Sequence, residues 1–155
     1  MKWILFLSCL VGFLANGQEV NIGKVENQIV LGDLAGNRDL AFGVKNVLEE
    51  VVQDYGYDLN PNSTIEITVD ILFFDIQKNS VQLGVYGKNV DIYMLAAQAT
   101  LYDNGKKKKT VTAKGTAKSI STATLIIDEG GKFSQANVST AIKKLCEQLI
   151  EKLKL

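Results

Sequence analysis

Histidine is absent from this 155-residue chain, proline occurs once (Pro61), and cysteine twice (Cys9 and Cys146). Without histidine there is no Ser-His-Asp or Cys-His nucleophile system, and the commonest zinc ligand is missing. No CxxC pair is possible, and Gly130-Gly131 has neither the spacing nor the following Lys-Ser/Thr of a phosphate-cradling loop. Neither sign of charge dominates, with 17 Lys+Arg against 17 Asp+Glu. Zero formal charge removes any general electrostatic pull toward DNA, RNA or an anionic membrane. The expectation is a protein that is not an enzyme, with no catalytic residues, no cofactor, no metal site and no nucleic-acid partner. What the chain does have is an ordinary apolar content, 46% hydrophobic with 22% charged residues. That suits one domain with its own core.

The first 17 residues read as a secretory signal peptide. Met1-Lys2 is a short positive start, Trp3 to Leu14 is apolar apart from Ser8, Cys9 and Gly12, and Ala15-Asn16-Gly17 supplies the small residues of a cleavage site. The apolar run is short of the about 20 residues that a comfortable membrane span needs. Two exits are open. Cleavage after Gly17 leaves a soluble chain starting at Gln18; acylation at Cys9, in the lipobox-like Leu7-Ser8-Cys9, tethers the chain peripherally to a membrane. The expected location is the periplasm or the periplasmic side of the outer membrane. Removal of residues 1–17 takes away Lys2 alone and leaves Cys146 as the single thiol. Cys146 stands beside the apolar stripe of a predicted helix, where burial is expected rather than redox chemistry.

Residues 18–27 carry no strong period and read as a lead-in. Gln28 to Leu34 reads as a first strand. After Gly36-Asn37-Arg38-Asp39, which offers Asn37 or Asp39 as a helix cap, Leu40, Val44, Val47, Leu48, Val51 and Tyr55 recur at helical spacing, and Gly56 closes the helix. From Thr64 the period changes to two: Ile65, Ile67, Val69, Ile71 and Phe73 alternate with Thr64, Glu66, Thr68 and Asp70. Leu72, Phe74 and Ile76 then occupy the polar face, so the far end of this strand is expected to be covered on both sides. Residues 81–87 read as a short strand or the start of the next. Asn89 to Tyr102 and Lys106 to Ser119 form a hairpin about Asp103-Asn104-Gly105. The apolar series Val111, Ala113, Gly115 and Ala117 meets the opposite core face only if the loop has three residues. Ala99 then pairs with Lys109 and Ala97 with Val111, with Gly105 left-handed in a G1 bulge. Val138, Ala141, Ile142, Leu145, Leu149 and Leu153 mark a last helix, capped near Ser134 or Asn137. The fold class expected is α+β: a two-layer sandwich of a mostly antiparallel four-stranded sheet with two helices on one face, in the order β-α-β-β-β-α. The domains follow as a signal peptide over 1–17, a lead-in over 18–27 and one α+β domain over 28–155.

The stretches Ile67-Thr68-Val69-Asp70-Ile71-Leu72-Phe73-Phe74-Asp75-Ile76, Asn79-Ser80-Val81, Lys88-Asn89-Val90-Asp91-Ile92, Asn104-Gly105-Lys106, Tyr55-Gly56-Tyr57 and Ala141-Ile142 stand in this order of elements. With them in place, the chain resembles the YajG-type family of bacterial envelope lipoproteins. The likeness covers roughly residues 28–153. It implies an envelope protein of this fold, typically lipidated, with no activity to carry over.

Side chains that could do chemistry are few. Asp70 and Asp75 share a strand, but their odd separation puts them on opposite faces, away from a paired-carboxylate geometry. Asp54 and Asp58 flank Gly56 at a spacing that matches no calcium loop. Lys106, Lys107, Lys108 and Lys109 form the densest charge run, at a hairpin tip where lysines also discourage edge pairing. With Thr112, Lys114, Thr116 and Lys118 they make the candidate partner surface. Two functions compete. One is an accessory subunit that binds envelope proteins through a sheet face or edge. The other is a carrier of lipid or another amphiphile, its cavity lined by Phe73, Phe74, Ile76, Tyr93 and Met94.

Overall fold

The computed structural model describes residues 17–29, 39–83, 86–123 and 135–155. Residues 1–16 of the expected signal peptide with Cys9, most of the strand expected over 28–34, Leu125 to Ile127 and Ser134 lie outside the described residues. The sheet differs from expectation in detail. It has five strands and is mixed, in the spatial order β2-β1-β3-β4-β5. β1 (Glu19–Asn27) occupies the stretch expected as a lead-in, and it pairs parallel with both β2 (Asp58–Leu59) and β3 (Ile65–Leu83). β3, β4 (Tyr86–Asp103) and β5 (Lys106–Ala123) form an antiparallel meander. Residues 81–83 and 86–87 are thus the ends of two long strands rather than a separate one.

β1 hides from a period count because of one irregularity. Val20 and Ile22 alternate inward, then the register shifts between Ile22 and Val25, so the next inward residue is three positions on. A similar shift between Ile71 and Phe73 overturns the expectation of an end covered on both sides. Ile67, Val69 and Ile71 are buried, and beyond the shift Ile76 is buried and Phe74 packs on the core. Leu72 and Phe73 are left 41% and 45% exposed. The apolar side chains change parity because the backbone gains a residue there.

α1 (Leu40–Asp54) starts where the Asp39 carboxylate accepts the Phe42 amide at 3.1 Å. It buries Leu40, Val44, Leu48, Val51 and Val52, while Tyr55 stays exposed, and it closes at Gly56 with φ 85°. α2 (Gln135–Leu153) buries Val138, Ala141, Ile142, Leu145, Leu149 and Leu153 as its period requires, and also Cys146 and Ile150. Asn137 lies inside this helix and is not its cap. α1 lies over β1 and β2, α2 over β4 and β5, and the two helices touch above one shared core. The Cys146 thiol points at the Val44 carbonyl, 3.8 Å away. Burial first, then Glu147, pushes its pKa up to about 12, which holds it as a neutral thiol inside the core.

Beneath α2 the sheet is floored with small residues, Ala97, Ala99, Ala113, Gly115 and Ala117, all buried. Gly115 is the closest approach: a Cβ there would overlap the Ala141 carbonyl and stand 2.8 Å from the Leu145 amide. The helix backbone cannot yield without lifting its leucines off the sheet. Gly115→Ala should therefore destabilise the fold by about 1 to 3 kcal/mol in a denaturant titration. Thr116→Ala, on the opposite face, should change it by no more than about 0.5 kcal/mol.

Candidate interaction surface

The hairpin tip turns through Asn104 and Gly105, both left-handed at φ 50° and 71°, with Asp103 opposite Lys106. This is a two-residue turn, not the three-residue loop expected. Ala99 pairs with Val111 and Ala97 with Ala113, two positions further on than anticipated. Parity is restored on the other arm, where the register shifts between Leu101 and Tyr102 and Lys108 becomes the extra residue. The apolar faces coincide all the same.

That extra residue divides the lysine run. Lys106, Lys107 and Lys108 are exposed at the tip, and Lys108 pairs with Asp103 at 3.2 Å. Lys109 pairs with Leu101 and so stands on the helix side of the sheet. Its ammonium donates to the carbonyls of Lys152 at 2.5 Å and Leu153 at 3.1 Å, the C-terminal end of α2 where a cation is favoured. Lys152 in turn donates to the Thr112 carbonyl at 2.7 Å. Lys109 is therefore part of the scaffold. Its membership of the inward series Lys109, Val111, Ala113 was the sequence signal for this role. Thr112, Lys114, Thr116 and Lys118 are exposed on the face of the sheet turned away from both helices.

The register places other residues on this outer face. Asp70 is opposite Gln98 and Asp75 opposite Met94, both outward positions of β4, so the two carboxylates share a face. Sequence parity had separated them; the shift at Leu72 reunites them. Their levels are four positions apart along β4, about 13 Å, too far for a paired-carboxylate site. Asp70 is held by Gln28 Nε2 at 3.0 Å, and Asp75 accepts the Ile76 amide at 2.8 Å. The five residues expected to line one cavity are likewise divided. Phe74, Ile76 and Tyr93 turn to the core, Phe73 and Met94 to the outer face.

Charge is distributed unevenly across the sheet. β5 carries Lys106 to Lys109, Lys114 and Lys118 and no acidic residue, whereas β1, β2 and β3 carry Glu19, Glu26, Asp58, Glu66, Asp70 and Asp75 against Lys24 and Lys78. β5 is the last strand of the sheet, so its outer edge faces away from every other described strand. Among the described residues no group of three or more His, Cys, Asp or Glu could hold a metal ion, and no helix is long and apolar enough to cross a membrane.

No family model matches the sequence, and no curated protein matches it. Solved structures match it in fold. A minor lipoprotein from Acinetobacter baumannii is 9% identical, with a TM-score of 0.52 over 88% of this chain and 91% of its own. PelC from Paraburkholderia phytofirmans, a variant solved as a dodecamer, is 16% identical, with a TM-score of 0.53 over 90% of this chain and 88% of its own. A hypothetical protein from Chlamydia trachomatis is 8% identical, with a TM-score of 0.53 over 89% and 96%. At such identities the likeness is one of fold.

The two kinds of lysine at the tip separate on substitution. Lys109→Ala removes two helix-end hydrogen bonds and should cost about 1 to 2 kcal/mol in thermal or denaturant unfolding, while Lys107→Ala should be near neutral.

Proposed function

We propose that this chain is an exported, non-catalytic protein of the bacterial envelope, akin to YajG-type lipoproteins, that acts as an accessory subunit by binding another envelope protein. The signal-like leader supports export, and the fold shared with a bacterial lipoprotein and with a dodecameric protein supports work within an assembly. One observation carries the binding site: β5 presents an 18-residue edge strand, its charged residues all lysine, at the rim of the sheet. Lys152 already covers that edge at Thr112, so an added strand would seat beyond it, along residues 113–119. Lys106, Lys107 and Lys108 at the tip would take the acidic side chains of the same partner.

The test places a photocrosslinking residue at Lys107, or as a control at Glu50 on α1, in cells expressing the full chain with its own leader. A discrete crosslink to an envelope protein is expected at position 107 and not at position 50. Lys106→Glu with Lys108→Glu should reduce it by about tenfold. Intact mass should show either a start at Gln18 or an acylated Cys9. Crosslinks equal at the two positions, or a chain that keeps Met1, would overturn the reading.

A further inference from the structure

The outer face of the sheet has a pattern that the binding edge does not use. It is acidic along one flank, basic along the other and apolar between. Glu66, Asp70 and Asp75 project outward from β3, and Lys114 and Lys118 from β5. Between the charged flanks, β4 turns Ile92, Met94 and Ala96 outward as an apolar strip, and Phe73 stands beside it on β3, facing Ala96. Phe73 is 45% exposed and Ala96 only 7%, so a large side chain stands beside a shallow floor.

We propose that this face is covered by the same face of a second copy of the chain, the two sheets related by a two-fold axis parallel to β4. Rotation about such an axis keeps each residue's level along the strands and exchanges left for right. β3 of one copy then lies over β5 of the other, acid over base, and the apolar strips meet on the axis. The levels agree. Asp75 shares its level with Thr116, through Met94, and Phe73 shares its level with Lys114, through Ala96. In the pair, each Asp75 sits over Thr116 of the second copy, between the ammonium groups of Lys114 and Lys118. Each Phe73 ring lies under the stem of Lys114 of the second copy. Both contact sets occur twice, as an isologous interface requires.

The charge pattern also selects the occupant. A two-fold axis across the strands would set acids against acids and lysines against lysines. A foreign surface of one sign would be repelled along one flank. A face with both signs is complementary to itself, and a chain with 17 basic against 17 acidic residues, or one fewer basic residue without Lys2, has little overall repulsion between copies. Area is sufficient. Twelve residues of strand by the three strands that overlap, β3, β4 and β5, span about 40 Å by 14 Å, roughly 570 Å² per copy and about 1,100 Å² in all, above the about 1,000 Å² that a specific interface needs. Packing at about 10 Å between aligned sheets leaves the β5 edge and the hairpin tip open. This dimer stands apart from the binding of another protein at the edge, and either can fail alone.

The test is sedimentation equilibrium of the purified mature protein from about 1 to 100 µM, at about 50 and 500 mM salt. A monomer–dimer equilibrium is expected, several-fold weaker at the higher salt. Phe73→Glu should leave a monomer with an unchanged circular dichroism spectrum and melting temperature. Asp75→Lys alone, and Lys114→Asp with Lys118→Asp, should each weaken self-association by about tenfold or more. Mixing those two variants should restore a dimer, because one contact set is then native and the other reversed in sign. A monomer at 100 µM in low salt would overturn the proposal. So would a larger oligomer, a dimer indifferent to Phe73→Glu, or a charge-swapped mixture that does not pair.

Discussion

One extra residue in β3, Leu72, decides which side chains of this protein meet the helices and which meet the outside. A strand alternates strictly, so every residue after an insertion changes face. Before the shift, Ile67, Val69 and Ile71 fill the core; after it, Phe74 and Ile76 do, and Phe73 is turned out. Without the insertion Phe73 would lie under the helices and Phe74 outside. Asp75 would also move to the apolar side, where a carboxylate has no compensating partner. The shift lets a run of consecutive apolar residues serve a sheet that is buried on one face only.

The helical layer enforces the same division from the other side. α2 sits against β5 so closely that Gly115 has no room for a methyl group, and its leucines reach a floor of alanines. Lys109 secures the end of that helix, and Lys152 ties the helix back to the edge strand. The basic strand is therefore both a wall of the core and a rim exposed to the surroundings. From Val111 to Ala117 its inward positions are small and apolar, and from Thr110 to Lys118 its outward ones are threonine and lysine. The proposed binding edge and the proposed dimer face use different directions of this one strand, the in-plane direction of the backbone and the outward direction of the side chains.

Both helices could be read from spacing alone, because 3.6-residue periodicity is unbroken over Leu40 to Val51 and Val138 to Leu153. The Gly56 stop was equally plain, while Asp39 was one of two caps on offer, the other, Asn37, lying outside the described residues. The strands were harder. β1 could not be seen because its inward residues, Val20, Ile22 and Val25, are not evenly spaced; β2 is only two residues long. At the hairpin, parity correctly required the apolar faces of the two arms to coincide. It could not tell a three-residue loop from a two-residue turn with a bulge at Lys108, since each restores alternation. The outer-face charges were misassigned for the same reason: Asp70 and Asp75 are five apart in sequence, and only the unpaired Leu72 puts them on one side. What the chain binds left no motif to read, because a surface that acts by contact needs shape and sign rather than particular catalytic groups.

The division of β3 is open to direct measurement by thiol labelling, since Cys146, the one cysteine among the described residues, is buried and neutral. Leu72→Cys and Phe74→Cys should be compared in dilute protein under native conditions. On a regular strand positions 72 and 74 share a face and would react alike. With the inserted residue, position 72 should be modified at a rate near that of a free thiol, and position 74 slowed by about a hundredfold or more, as expected where reaction waits on local opening. Equal rates, or a faster reaction at 74, would contradict the account.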